Sequence, residues 1–173
     1  MPPLDTDSAY AFRPVVADDF ALLRRWFEQP HVAEWWNPVE SALAEVAQAM
    51  KEPSVAPHIV LIDGRPSGYI QSYRPHAEPG HPYCDQPEGA VGLDQFIGEP
   101  DLLGKGHGST FVRQFAEMCE MDGASCVITD PDPTNGRAIR AYEKAGFEAL
   151  EHRTTPFGPV LLMRRPACRT LRL

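Results

Sequence analysis

The chain has 173 residues, 43% of them hydrophobic and 23% charged, with a formal net charge of −8 at neutral pH. That length suits one domain with a real core, and the negative balance excludes a general nucleic-acid surface, which needs clustered Lys and Arg. No apolar run in the sequence approaches the roughly 20 residues that span a bilayer.

The remaining composition narrows the class further. Cys84, Cys119, Cys126 and Cys168 form no C-x-x-C pair, which fits a reduced, cytoplasmic chain. The first residues lack the basic-then-apolar order of a signal peptide. An acidic protein is permissive for a cationic ligand. Residues 10–166 are expected to form a single domain, with flexible termini at 1–9 and 167–173.

In chain order, residues 10–16 (YAFRPVV) read as a first strand. Phe20, Leu22, Leu23, Trp26 and Phe27 then recur at helical spacing, with Asp18 and Asp19 suited to the first turn. VESALAEVAQAM is a second helical run, and HIVLIDGRPSGYIQSY a hairpin about Asp63-Gly64. Residues 74–89 are a long loop rich in Pro, Gly, His and acid, of a length that often carries binding work. AVGLDQFI is the next strand, followed by a glycine loop and a helix. SCVITD is a strand, NGRAIRAYEKAGF a helix closed by Gly146, and FEALEHRTT and PVLLMRR two final strands about Phe157-Gly158. This order predicts an α/β fold, a mixed sheet with helices on both faces.

The glycine loop carries the first chemical signal. Gly104-Lys105-Gly106-His107-Gly108-Ser109 matches neither G-x-x-x-x-G-K-[ST] nor G-x-G-x-x-G. It opens a helix whose apolar stripe is Phe111, Val112, Phe115, Met118 and Cys119. A helix start offers N–H groups and a positive dipole end, and glycines let an anion approach the backbone. The segment therefore suits a pyrophosphate, with Lys105 as an added charge; its alternative is a turn that needs glycine for shape alone.

Residues 103–108 resemble the [RQ]-x-x-G-x-[GA] acetyl-CoA motif of the GNAT superfamily of N-acetyltransferases, with Leu103 at the place of Arg or Gln. Asn135-Gly136-Arg137-Ala138 and Ala141-Tyr142-Glu143-Lys144-Ala145-Gly146-Phe147 resemble its second motif. HVAEWW, GYIQSY, GLDQ, LGKGHG, TDPDPTNGRAIRAYEKAGF and TTPFGP are most similar to the aminoglycoside 6′-N-acetyltransferase branch, over residues 12–164. The resemblance implies a GNAT fold: a mixed, mostly antiparallel central sheet of six to seven strands with about four helices on both faces. It implies acetyl-CoA as cosubstrate, no metal, and a small cationic amine as partner, in a monomer or homodimer. A siderophore-building N-acyltransferase and a non-catalytic acyl-CoA-binding module are the alternatives.

The resemblance also implies roles. Asp94, mid-strand in GLDQ, stands where the branch holds and deprotonates its amine. Tyr142 stands near the departing sulfur and has a phenol pKa suited to protonating a thiolate, about 10; its place in the stripe Ala138, Ile139, Tyr142, Ala145 equally suits a core residue. Cofactor contacts are implied at Gln95, Phe96 and Ile97, at Leu103, Gly104, Lys105, Gly106, His107, Gly108 and Ser109, and at Asn135, Ala138, Tyr142 and Lys144. For the amine, Asp94 and Asp130 offer charge, Gln71 and Tyr73 hydrogen bonds, and Trp35 or Trp36 a stacking face, with Trp36 favoured. Glu78, Asp85 and Glu88 suit an acidic lid. Phe157 stands where the branch places an Asp toward its drug, a departure that removes one carboxylate. His76, His81, Cys84 and Asp85 are close in sequence, but their spacing matches no zinc pattern.

Overall fold

The computed structural model describes residues 8–167, so most of the expected flexible termini, including Cys168, lies outside the described residues. The elements are β1 (Tyr10–Pro14), α1 (Phe20–Phe27), α2 (Pro30–Ala33), α3 (Val39–Ala49), β2 (Val55–Ile62), β3 (Arg65–Tyr73), β4 (Val91–Ile97), α4 (His107–Met121), β5 (Cys126–Thr129), α5 (Gly136–Lys144), β6 (Glu148–Thr155) and β7 (Gly158–Pro166). The strands form a seven-stranded mixed sheet in the order β1-β2-β3-β4-β5-β7-β6. This is the expected sheet. The helix beyond the expected four is α2, one turn that starts with Pro30 at a position where a missing N–H costs nothing. No helix among the described residues is long and apolar enough to cross a membrane.

By its internal contacts the chain divides into two compact units. The first comprises the chain up to Ser72 together with Gln95–Gly108. Its β1 and β2 pair antiparallel, with Phe12 opposite Val60. Asp63 and Gly64 both take positive φ, 51° and 81°, the geometry of the two-residue turn that suits strand twist. The core gathers Leu23, Trp26 and Phe27 from α1, Val32 from α2, Leu43 and Val46 from α3, and Ile59, Tyr69 and Phe96 from the strands. Burial of these side chains, at roughly 1.5–3 kcal/mol each, is the main force holding the unit.

Two buried acids organise its edges. Glu99 accepts from the Trp26 indole N–H at 3.0 Å and pairs with Arg25 at 2.6 Å. Asp19 takes both guanidinium nitrogens of Arg13, at 2.8 and 2.7 Å, and the Val16 N–H at 2.8 Å. That ties the end of β1 to the start of α1.

The second unit comprises Tyr73–Asp94 and the chain from Ser109 onward. Val91 and Gly92 of β4 pair parallel with Val127 and Ile128 of β5. β7 runs antiparallel to β5, and β6 antiparallel to β7 with an irregularity between Ala149 and Glu151. Tyr83, Ala90, Cys126, Ile128 and Leu162 form a core cluster against which Tyr73 packs.

Arg13 holds the Asp19 carboxyl below its ordinary pKa, chiefly by hydrogen bonding. A group whose folded pKa is depressed stabilises fully above its unfolded value, about 3.9, and loses that contribution as pH falls through the folded value. Asp19→Asn is therefore expected to cost about 1–3 kcal/mol at pH 6. Urea denaturation should show this gap closing as pH drops below about 4; a gap independent of pH would contradict the assignment.

Candidate functional site

In the first unit, the chain leaves β4 and reaches α4 through a short 3-10 turn, Pro100–Leu102, and the glycine loop. Leu103 is extended, and Gly104 and Gly106 take positive φ of 72° and 85°. Side chains with a Cβ seldom adopt that region, so the glycines are required by backbone shape. They aim the chain into the start of α4, where the helix itself supplies no acceptor for the first N–H groups. Gly104 and Lys105 are exposed. His107, 3% exposed, anchors the loop from beneath: its Nδ1 lies 2.7 Å from the Tyr10 hydroxyl on β1.

The C-terminal half of β4 is fixed by aromatic packing. Phe96 stacks on Tyr69 with ring centroids 5.4 Å apart, and meets Trp36, Phe27 and Trp26. Its side chain is therefore core. His31 donates from Nε2 to the Ile97 carbonyl at 2.8 Å, since a carbonyl only accepts. Trp36 lies one helical turn after the buried Val32, so it faces inward and half-buries against Phe27, Tyr69 and Phe96. Trp35 is the more exposed of the pair, at 36%. Gln71 accepts from the Tyr69 hydroxyl at 2.6 Å.

The second unit brings acids and phenols together. The Tyr73 hydroxyl lies within the field of Asp94, Asp130, Tyr83 and Tyr142, and burial followed by the Asp94 charge pushes its pKa well up. Gly92 permits this placement, because a Cβ there would overlap the Tyr73 ring. The Tyr83 hydroxyl donates to Asp130 at 2.6 Å. Burial raises the Asp130 pKa against the opposing pull of that hydrogen bond. The arrangement offers partly buried negative charge beside neutral donors, which suits an ammonium group.

Other candidates of this unit are placed as follows. Tyr142 is 4% exposed and meets Phe147 edge-on. Asn135 caps α5, its Oδ1 accepting from the Ala138 N–H at 3.2 Å. Lys144 is exposed in the last turn of α5, where a cation complements the helix dipole. Ser109 and Thr129 belong to the ends of α4 and β5, and the Thr129 hydroxyl donates to the Leu93 carbonyl at 3.1 Å.

The long loop is pinned. Asp85 pairs with Arg153 of β6 through both oxygens, at 3.0 and 2.5 Å. His76 Nε2 lies 2.8 Å from the Gln86 carbonyl, and the Cys84 thiol lies 3.6 Å from the Pro75 carbonyl. Glu78 and Glu88 are exposed, as is Phe157, 94% exposed at the turn between β6 and β7. Among the described residues, no group of three or more His, Cys, Asp and Glu side chains is placed to hold a metal.

Sequence reasoning missed Tyr83, Arg153 and His31. Tyr83 and Arg153 meet across 70 residues of chain, in a Pro-rich loop and an exposed strand with no informative periodicity. His31 stood inside HVAEWW, but nothing in that string names the Ile97 carbonyl.

The chain matches the family model described as acetyltransferase (GNAT) domain over residues 15–155. It is 36% identical over 168 residues to aminoglycoside N(6′)-acetyltransferase type 1 of Klebsiella pneumoniae, covering 92% of this chain and 84% of that one. It is 30% identical to N-hydroxyputrescine acetyltransferase of Acinetobacter baumannii, covering 92% and 76%. The solved structure of AAC(6′)-Ib in complex with ribostamycin and coenzyme A superposes with a TM-score of 0.84 at 34% identity, covering 95% of this chain and 98% of that one. With its glycine loop, its Asn-capped α5 and this match over most of its length, the chain belongs to the GNAT acetyltransferase family.

Proposed function

We propose that this protein transfers the acetyl group of acetyl-CoA to a primary amine of an aminoglycoside, at the 6′-amino group, or of a similar cationic amino sugar. The observation that carries the reading is the structural match, over nearly all of both chains, to an enzyme holding coenzyme A and ribostamycin.

The glycine loop supports a diphosphate. The positive-φ glycines lead the chain into the positive dipole end of α4, and Lys105 adds a point charge. The Leu103 departure removes one side chain and leaves the loop backbone in place. Gln95, Phe96 and Ile97 continue β4 after β5 has ended at Thr129, which suits an amide-bearing arm added along the strand.

The chemistry is an amine attack on a thioester. Only the free base attacks, so the ammonium first gives its proton to Asp94, directly or through water. The amine nitrogen then bonds to the acetyl carbon, the C–S bond breaks as Tyr142 supplies a proton to the thiolate, and the second proton shed by the new amide nitrogen restores the phenol. Asp130 holds substrate ammonium charge. A second reading, acetylation of a linear polyamine derivative, is favoured by the 30% identity to N-hydroxyputrescine acetyltransferase.

Purified protein with acetyl-CoA and a panel of kanamycin, spermidine and lysine derivatives is expected to release free thiol with kanamycin. Release with the linear amines alone would replace this reading by the second, and no release despite coenzyme A binding would leave a binding module. Asp94→Asn is expected to lower kcat by at least about 10²-fold, the low end for a general base; near-normal turnover would remove Asp94 from the mechanism. Calorimetry on Gly106→Val is expected to show coenzyme A affinity reduced about tenfold or more, because a β-branched residue is strained at φ 85°. Phe157→Asp is expected to lower the KM for kanamycin, and an unchanged KM would place residue 157 away from the drug.

A further inference from the structure

Tyr83 belongs to none of the motifs, and the proposed transfer gives it no step. It is nevertheless 2% exposed, and its hydroxyl donates to Asp130 Oδ2 at 2.6 Å. Arg153 holds it from the other side. The guanidinium carbon stands 5.7 Å from the Tyr83 ring centroid, and the same group donates to the Pro82 carbonyl at 3.1 Å and pairs with Asp85. One arginine on β6 thus fixes the residue before Tyr83, the residue two after it, and the ring.

We propose that Tyr83 is a positioning residue for the amine substrate: its hydroxyl fixes the Asp130 carboxylate in its ionised form, and Arg153 locks Tyr83 in place to do so. The inference rests on the reading of Asp130 as a partner of substrate ammonium.

The argument is one of opposed forces on a buried carboxyl. Burial favours the neutral form of Asp130. A protonated Asp130 would give an ammonium no charge to meet. The Tyr83 hydrogen bond favours the ionised form, with a smaller contribution from the backbone. Tyr83 remains a donor because burial and the Asp130 charge push its own pKa far up. Asp94, Tyr73 and Tyr142 face the same cluster, and Asp94 adds negative charge to it. The Arg153 charge is already met by Asp85 and by Glu151 at 2.6 Å.

The test uses the full-length protein with acetyl-CoA and kanamycin, comparing Tyr83→Phe, Asp130→Asn, the double variant and Arg153→Met. Tyr83→Phe is expected to raise the KM for kanamycin roughly tenfold, in line with losing a hydrogen bond to a charged group. The KM for acetyl-CoA should stay at its wild-type value. The acid limb of kcat/KM should move to higher pH, and Arg153→Met should act in the same direction. In the Asp130→Asn background Tyr83→Phe should add nothing, since the two act as one unit. A wild-type KM and pH profile in Tyr83→Phe, or an equal rise in both KM values, would overturn the proposal.

A normal kanamycin KM in Asp130→Asn would instead sink the reading of Asp130. Should the wild-type protein not turn over kanamycin at all, carbon-13 NMR of the aspartate carboxyls decides independently of catalysis. The Asp130 titration midpoint is expected to rise in Tyr83→Phe, and an unmoved midpoint would refute the role.

Discussion

The backbone between β4 and α4 is the constraint on which the rest depends. Two residues there, Gly104 and Gly106, hold φ of 72° and 85°. Any side chain at either place would be strained in that conformation. The glycines alone would leave a floppy hinge. The Tyr10 hydroxyl on buried His107 supplies the missing rigidity by tying the first residue of α4 to β1. A loop that is both permissive in φ and fixed at its end is preorganised, so on the proposed reading little ordering entropy would oppose the binding of a diphosphate there.

The second unit poses a different problem: on the proposed reading its partly buried acids have to stay charged. Carboxylates in open solvent attract amines weakly and lose that attraction in salt. Burial strengthens the attraction and at the same time favours protonation. Asp130 sits where these effects compete, and the phenols around Tyr73 are what burial tolerates as neighbours: donors that stay neutral across the physiological range. Gly92 has a structural part in this, since the Tyr73 ring occupies the space a side chain there would need.

Much of this was legible in the sequence, and the boundary of what was legible is physical. Strands and helices with a one-sided apolar pattern, such as Leu23-Trp26-Phe27 in α1, announce themselves because periodicity is a local property. The glycine loop and the helix that follows Asn135 are equally local. α2 was hidden because a single turn has too few residues to show a period, although Pro30 marks its start. The tryptophan pair shows the same limit: adjacency implies that the two rings point differently, but only the turn of α2 makes Trp36 the inward one. Partners such as Arg153 and Asp85 are 68 residues apart, and charge in a sequence says nothing about which opposite charge it will meet.

That last pairing bears on substrate choice. The acidic long loop looked like a ready source of carboxylates for a polycation. In the fold, Asp85 is taken by Arg153, and the hairpin tip carries Phe157 in place of an acid. On the proposed reading, recognition of the amine then falls to Asp94 and Asp130 rather than to a surface ring of charge. Partly buried acids are screened less than exposed ones, so selectivity would come from how well a substrate places one or two ammonium groups. A drug with many scattered charges gains little from such a site over a smaller amine with the right spacing. On that reading, the departure at Phe157 and the commitment of Asp85 act in one direction, from charge count toward shape.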